Sequence, residues 1–206
     1  MTSAHRSLED RVEAFKRFYR RENERPLLGF FTGSEYPLHR YPSARALPDD
    51  RPLTPDDIDP AAYAADSEAL FEEHEACGGD FIWAGTAFWG VPWVEAALGC
   101  GLRADRAAGS IHSEPPPGFS GPEDIPEFDA ATPWVVRMTE CYHALSAAEG
   151  RRWPIGTTRM RGISDLLAAL KGTLVGWGKL ARTGSVRFEL QPRAAGAQGT
   201  CLGDRP

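Results

Sequence analysis

Three arginines, Arg40, Arg159 and Arg161, and three aromatic residues, Tyr41, Trp89 and Trp93, are the residues whose types could hold a ligand. These residue types recognise a flat anion: a guanidinium grips a carboxylate or phosphate through parallel N–H donors, while aromatic walls cover its apolar faces. The candidates fall in three stretches, Thr32 to Tyr41, Thr86 to Trp93 and Thr157 to Arg161, each following a short apolar run. In parallel α/β folds the substrate sits at the carboxyl ends of the strands. The spacing therefore reads as one cleft built from three loops, with Arg40, Tyr41, Thr86, Trp89, Trp93, Arg159 and Arg161 contacting a small-molecule substrate. The plainer reading is that the tryptophans pack the rim and the arginines are solvated. The residues name no catalytic group.

Other chemistries have weaker support. His74-x-x-Cys77 converges on one helical face, but no third and fourth ligand follow at a recognisable spacing, and residues two apart on a helix, Cys141-x-His143, diverge. No metal site is expected. Gly78-Gly79 precedes an apolar run rather than following one, so it is not a phosphate loop, and no G-x-S-x-G nucleophile motif occurs. The four cysteines form no C-x-x-C pair, which fits reduced thiols. A net charge of −6 disfavours nucleic acid as a partner. No stretch approaches the roughly 18–20 apolar residues of a membrane span, and Met1 to Asp10 lacks the apolar core of a signal peptide, so a cytoplasmic protein is expected.

The elements that would position the arginines follow from capping and periodicity. Ser7 can cap a helix whose stripe is Leu8, Val12, Phe15 and Tyr19, ending near Asn23. Leu27 to Phe31 then reads as a buried strand, and Glu35 to Asp59 as a long proline-studded excursion. Asp59-Pro60 starts a second helix that runs to Gly78-Gly79, delivering the chain into a second strand, Asp80 to Gly85, and a short helix, Pro92 to Leu98. Leu102 to Ala131 is turn-rich, with no long element. Thr132-Pro133 starts a helix ending at Gly150, Trp153 to Gly156 is a third strand, and a helix with the stripe Ile163, Leu166, Leu167 and Leu170 closes the pattern.

Strands alternating with helices imply a parallel sheet, and a closed eight-stranded barrel needs ~250 residues. The expectation is an α/β chain holding an incomplete (β/α)8 TIM barrel: its first half with an N-terminal helix, over residues 1–181. Residues 182–206 change character, with four Arg against one Asp and one Glu, and no periodicity. They read as an unstructured tail or as an out-of-frame continuation of a truncated chain.

Three segments carry a family resemblance: Gly78 to Trp83, Phe88 to Cys100 (Phe-Trp-Gly-Val-Pro-Trp-Val-Glu-Ala-Ala-Leu-Gly-Cys) and Arg161 to Gly172 (Arg-Gly-Ile-Ser-Asp-Leu-Leu-Ala-Ala-Leu-Lys-Gly). In order over Leu8 to Leu180, the chain resembles the uroporphyrinogen decarboxylase-like family, which includes corrinoid-linked methyltransferases. The resemblance implies a barrel and a carboxy-lyase acting on a tetrapyrrole or related carboxylated substrate, without a cofactor. The methyltransferase branch would add zinc and a corrinoid, and a third reading is a non-catalytic fragment. A homodimer is a further expectation. Of the R-Q-A-G-R-Y signature of the decarboxylases only Arg40-Tyr41 match. Where those enzymes place a catalytic aspartate, this chain has Trp83-Ala84-Gly85, and Asp80 precedes the strand.

Overall fold

The computed structural model describes residues 6–148 and 152–172. The 182–206 segment and the end of the 1–181 unit lie outside the described residues. Helix α1 (Leu8–Arg20) starts at a capping box: Ser7 Oγ accepts from the Asp10 N–H at 3.1 Å and the Asp10 carboxylate accepts from the Ser7 N–H at 3.2 Å. It ends where Arg21 turns left-handed, with φ 61°. The expected apolar stripe is not what docks this helix. Leu8, Val12 and Tyr19 stay exposed, and the buried residue is Arg11, whose guanidinium forks onto Glu75. A bidentate ion pair has one good geometry, and it sets the rotation of α1.

Helix α2 (Pro37–Arg40) is a single turn. The excursion that follows is packed rather than loose: short 3₁₀ turns at Pro42–Ala46 and Pro55–Asp57 let Leu47, Leu53 and Ile58 enter the core. Helix α3 (Pro60–Cys77) is capped by Asp59, whose Oδ1 accepts from the Ala61 N–H at 2.9 Å, and stops at left-handed Gly78. Helix α4 (Trp93–Ala97) is short, and α5 (Pro133–Ala147) packs against α3. Between them, Tyr63 stacks on Phe88 with ring centroids 4.1 Å apart, and Tyr41 meets Phe88 edge-on at 4.9 Å. Helix α6 (Ile163–Lys171) buries Ala169 and Leu170 beside Cys100 and leaves Ile163 exposed.

The half-barrel expectation is overturned. Among the described residues there are six α-helices and one sheet of two antiparallel strands, β1 (Gly101–Asp105) and β2 (Ser110–Glu114), paired Gly101↔Glu114 through Asp105↔Ser110. The sheet lies almost wholly in the stretch expected to be turn-rich with no long element. The three expected strands form no ladder. Residues 27–31 and 80–85 share an Asp80 N–H to Leu28 C=O bond of 2.6 Å, and residues 85 and 155 make one isolated parallel bridge. The physical reason lies in the side chains. A short apolar run fixes neither burial nor pairing, and here Leu28, Phe30, Phe31 and Phe81 remain about half exposed or more. Trp153 fills the space beside Gly85 and packs against Phe71, with centroids 5.0 Å apart.

Asp80 joins these segments. Its carboxylate is 4% exposed and accepts from Arg6 (2.7 Å), twice from Arg25 (2.7 Å each) and from the Leu28 N–H (2.9 Å). Those donors hold its pKa down to about 2, first through the Arg25 hydrogen bonds. A carboxyl depressed on folding contributes stability above its ordinary value and loses it as pH falls. Asp80→Asn should therefore cost about 1–2 kcal/mol at neutral pH, because both arginines are half solvated. In urea denaturation this difference should shrink as pH falls from 3.8 toward about 2. A pH-independent difference would show that the charge on Asp80 is not the source.

Candidate functional site

Behind β2 and α2 lies a cavity of about 640 Å³, lined by residues from four separate parts of the chain. Phe31, Glu35, Tyr36 and Pro37 form one side. Trp89 to Pro92 form the floor, Ser110 to His112 of β2 a second side, and Arg159 with Arg161 a third. Two neighbouring glycines make the close approaches. A Cβ on Gly90 would lie 2.6 Å from Pro37, and one on Gly109, already at φ 69°, would lie 2.7 Å from Tyr36 and 2.8 Å from the His39 ring. Only glycine lets the hairpin tip sit against α2, where the Leu38 N–H donates to the Gly109 C=O at 2.9 Å.

The two downstream arginines reach the cavity in different electrostatic states. Arg161 is neutralised: its Nε lies 2.9 Å from Oε1 of Glu95, a 2%-exposed carboxylate on α4. Arg159 carries no ion pair among the described residues. It is exposed, and its guanidinium carbon lies 4.8 Å from the centre of the Trp89 ring. On β2, Ser110 and His112 are two apart and share a face, with the Ser110 hydroxyl and His112 Nε2 hydrogen-bonded at 3.0 Å. Asp105 lies 3.8 Å from the same nitrogen. The cavity thus offers one unpaired cation among the described residues, an imidazole, a hydroxyl and several apolar walls, with the Glu35 carboxylate on the side formed by Phe31 to Pro37. That set suits a flat anion.

Of the seven residues expected from sequence, Trp89, Arg159 and Arg161 line this cavity. Arg40 is one step behind it, lying over Phe31 at 4.2 Å and donating to the Thr32 C=O. Thr86 packs toward Gly156 instead. Tyr41 and Trp93 belong to the core. Burial pushes the Tyr41 hydroxyl up to about 12, and Trp93 donates its indole N–H to the Phe88 C=O at 3.0 Å. Aromatic identity alone does not separate wall from core. The sequence reading missed Ser110, His112 and Glu35. Alternation of Leu102, Ala104 and Ile111 with polar residues was the available sign that β1 and β2 exist.

No protein-family model, curated protein or solved structure matches the chain. Among the described residues, no group of three or more His, Cys, Asp or Glu side chains is gathered as a metal cage. Burial raises the Cys100 and Cys141 thiols to about 11, so neither is a thiolate at neutral pH. No helix among the described residues is long and apolar enough to cross a membrane.

The hairpin wall gives a direct test. Gly109→Ala should destabilise the protein by about 1–2 kcal/mol, through both the positive φ and the contact with Tyr36 and His39. Thermal melts followed by circular dichroism would read this, and a neutral effect would mean that the tip does not dock on α2.

Proposed function

We propose that this chain binds a small, flat, carboxylate-bearing molecule in the cavity between Trp89 and β2. Carboxylated pyrroles and tetrapyrroles, the class implied by the family resemblance, are the first to try. The observation that carries the reading is Arg159, an exposed guanidinium lying over Trp89 with no carboxylate partner among the described residues. Resting on the indole limits its rotamers while leaving N–H donors free, so an incoming carboxylate meets a fork already ordered. Glu95 restrains Arg161, which then serves position more than net charge.

The reaction that the resemblance implies is loss of CO₂. The bond from ring substituent to carboxylate breaks with release of CO₂, the electron pair stays with the substrate carbon, and that carbon takes one proton from solvent water. Such a step favours an apolar surround for the leaving carboxylate and donors for those retained. Trp89, Val91 and Ile111 support the first requirement, and Arg159 the second. A specific observation favours a second reading, binding without turnover. The end of the 80–85 segment carries Ala84 and Gly85 rather than an aspartate, and Asp80 is fully engaged by Arg6, Arg25 and the Leu28 N–H.

Titration with uroporphyrin, and with benzoate as a minimal probe, followed by tryptophan fluorescence should show saturable binding. Arg159→Ala should weaken it by about tenfold or more, or about 1.4 kcal/mol, with an unchanged melt. Arg161→Ala should weaken it less. Equal affinity in both variants would remove these residues from the site. Release of labelled CO₂ from uroporphyrinogen separates turnover from binding alone.

A further inference from the structure

We infer that the ligand of the Trp89 cavity carries a protonated amine at the end away from its carboxylate, and that Glu35 selects it. This rests on the reading of the cavity as a carboxylate site and narrows that class to molecules bearing both charges.

The first observation is the charge inventory of the walls. Glu35 is the one acidic residue among those that line the cavity. Its carboxylate is exposed and has neither an ion pair nor a hydrogen bond among the described residues. Arg40 of α2 does not neutralise it. That guanidinium donates to the Thr32 C=O and, at 3.5 Å, to the Ser34 C=O, and it rests over Phe31. Arg161 is held by Glu95, and the Asp105 carboxylate, beside His112, is not part of the lining. The lining therefore presents one free cation, Arg159, and one free anion, Glu35, on different sides.

The second observation is the surface between them. Tyr36, next to Glu35 and 48% exposed, lines the same side and offers its ring to a cation, as Phe31 already does to Arg40. A sphere of 640 Å³ is about 11 Å across, which is room for a single six-membered ring with a charged group at each end. An unpaired carboxylate in such a site acts in both directions. A ligand with carboxylates alone gains at Arg159 and is repelled at Glu35, whereas a ligand with an ammonium group gains at both. Because Glu35 is solvent-exposed, screening holds the expected discrimination to about tenfold.

Isothermal titration calorimetry on the full chain tests this with two probes of nearly equal size, 4-methylbenzoate and 4-(aminomethyl)benzoate. Wild type should bind the amine about tenfold more tightly than the methyl compound. Glu35→Gln should remove that preference, weakening the amine and strengthening the methyl compound slightly, with an unchanged melt. Glu35→Asp keeps the charge and should keep part of the preference. Arg159→Ala should weaken both probes alike. Equal affinity of wild type for the two probes, or a preference that survives in Glu35→Gln, would overturn the role given to Glu35 and leave the carboxylate reading standing. Binding of neither probe would overturn the carboxylate reading itself, and this inference with it.

Discussion

A nearly buried carboxylate that must find donors organises one whole side of this molecule. Asp80 sits at the exit of α3, and its oxygens collect two guanidinium groups and a backbone N–H from residues 6, 25 and 28. An ionised carboxylate in that position is tolerable only with those donors, and each donor drags its own stretch of chain with it. The arm before α1, the turn after it and the start of the 27–31 segment are thereby fixed to one point. The Arg11 pair with Glu75 repeats the device one turn earlier on α3. Residues 6–31 are consequently held by directed polar contacts more than by apolar area, and Leu8, Val12, Phe18, Tyr19, Leu28, Phe30 and Phe31 remain in water.

The cavity depends on this arrangement at one remove. Phe31 reaches the cavity mouth because Leu28 is pinned to Asp80 and Thr32 to Arg40, and Arg40 in turn lies over Phe31. The remaining walls come from the aromatic core. Phe88 is stacked on Tyr63, which turns the neighbouring Trp89 outward under Arg159. Stiffness in the core and an exposed arginine above it fit the proposed binding site: the wall is fixed, and the group proposed to meet the ligand retains free donors.

Local signals in the sequence carried as far as local physics reaches. Ser7 and Asp59 marked two helix starts because capping is decided within one turn, and Pro133 marked a third through its fixed φ at the first helical position, without a side-chain cap from Thr132. What failed was non-local. The runs at 27–31, 80–85 and 153–156 are apolar and short, but pairing depends on register against distant residues, and neither side of those runs supplies a ladder. The antiparallel hairpin was overlooked because Arg103 and His112 break the look of an apolar strand while occupying its solvent face. The site followed the same division. Trp89, Arg159 and Arg161 were legible as a cation and aromatic set, whereas Ser110 and His112 enter only because Gly109 docks the hairpin on α2.

Backbone and side-chain chemical-shift mapping during a titration with benzoate reads out anion binding at Trp89. The largest shifts should fall on the Trp89 indole N–H, the Arg159 Nε–H and the amides of Ser110 and His112. Shifts concentrated on Arg6 and Arg25, or spread evenly over the surface arginines, would contradict a built site at Trp89.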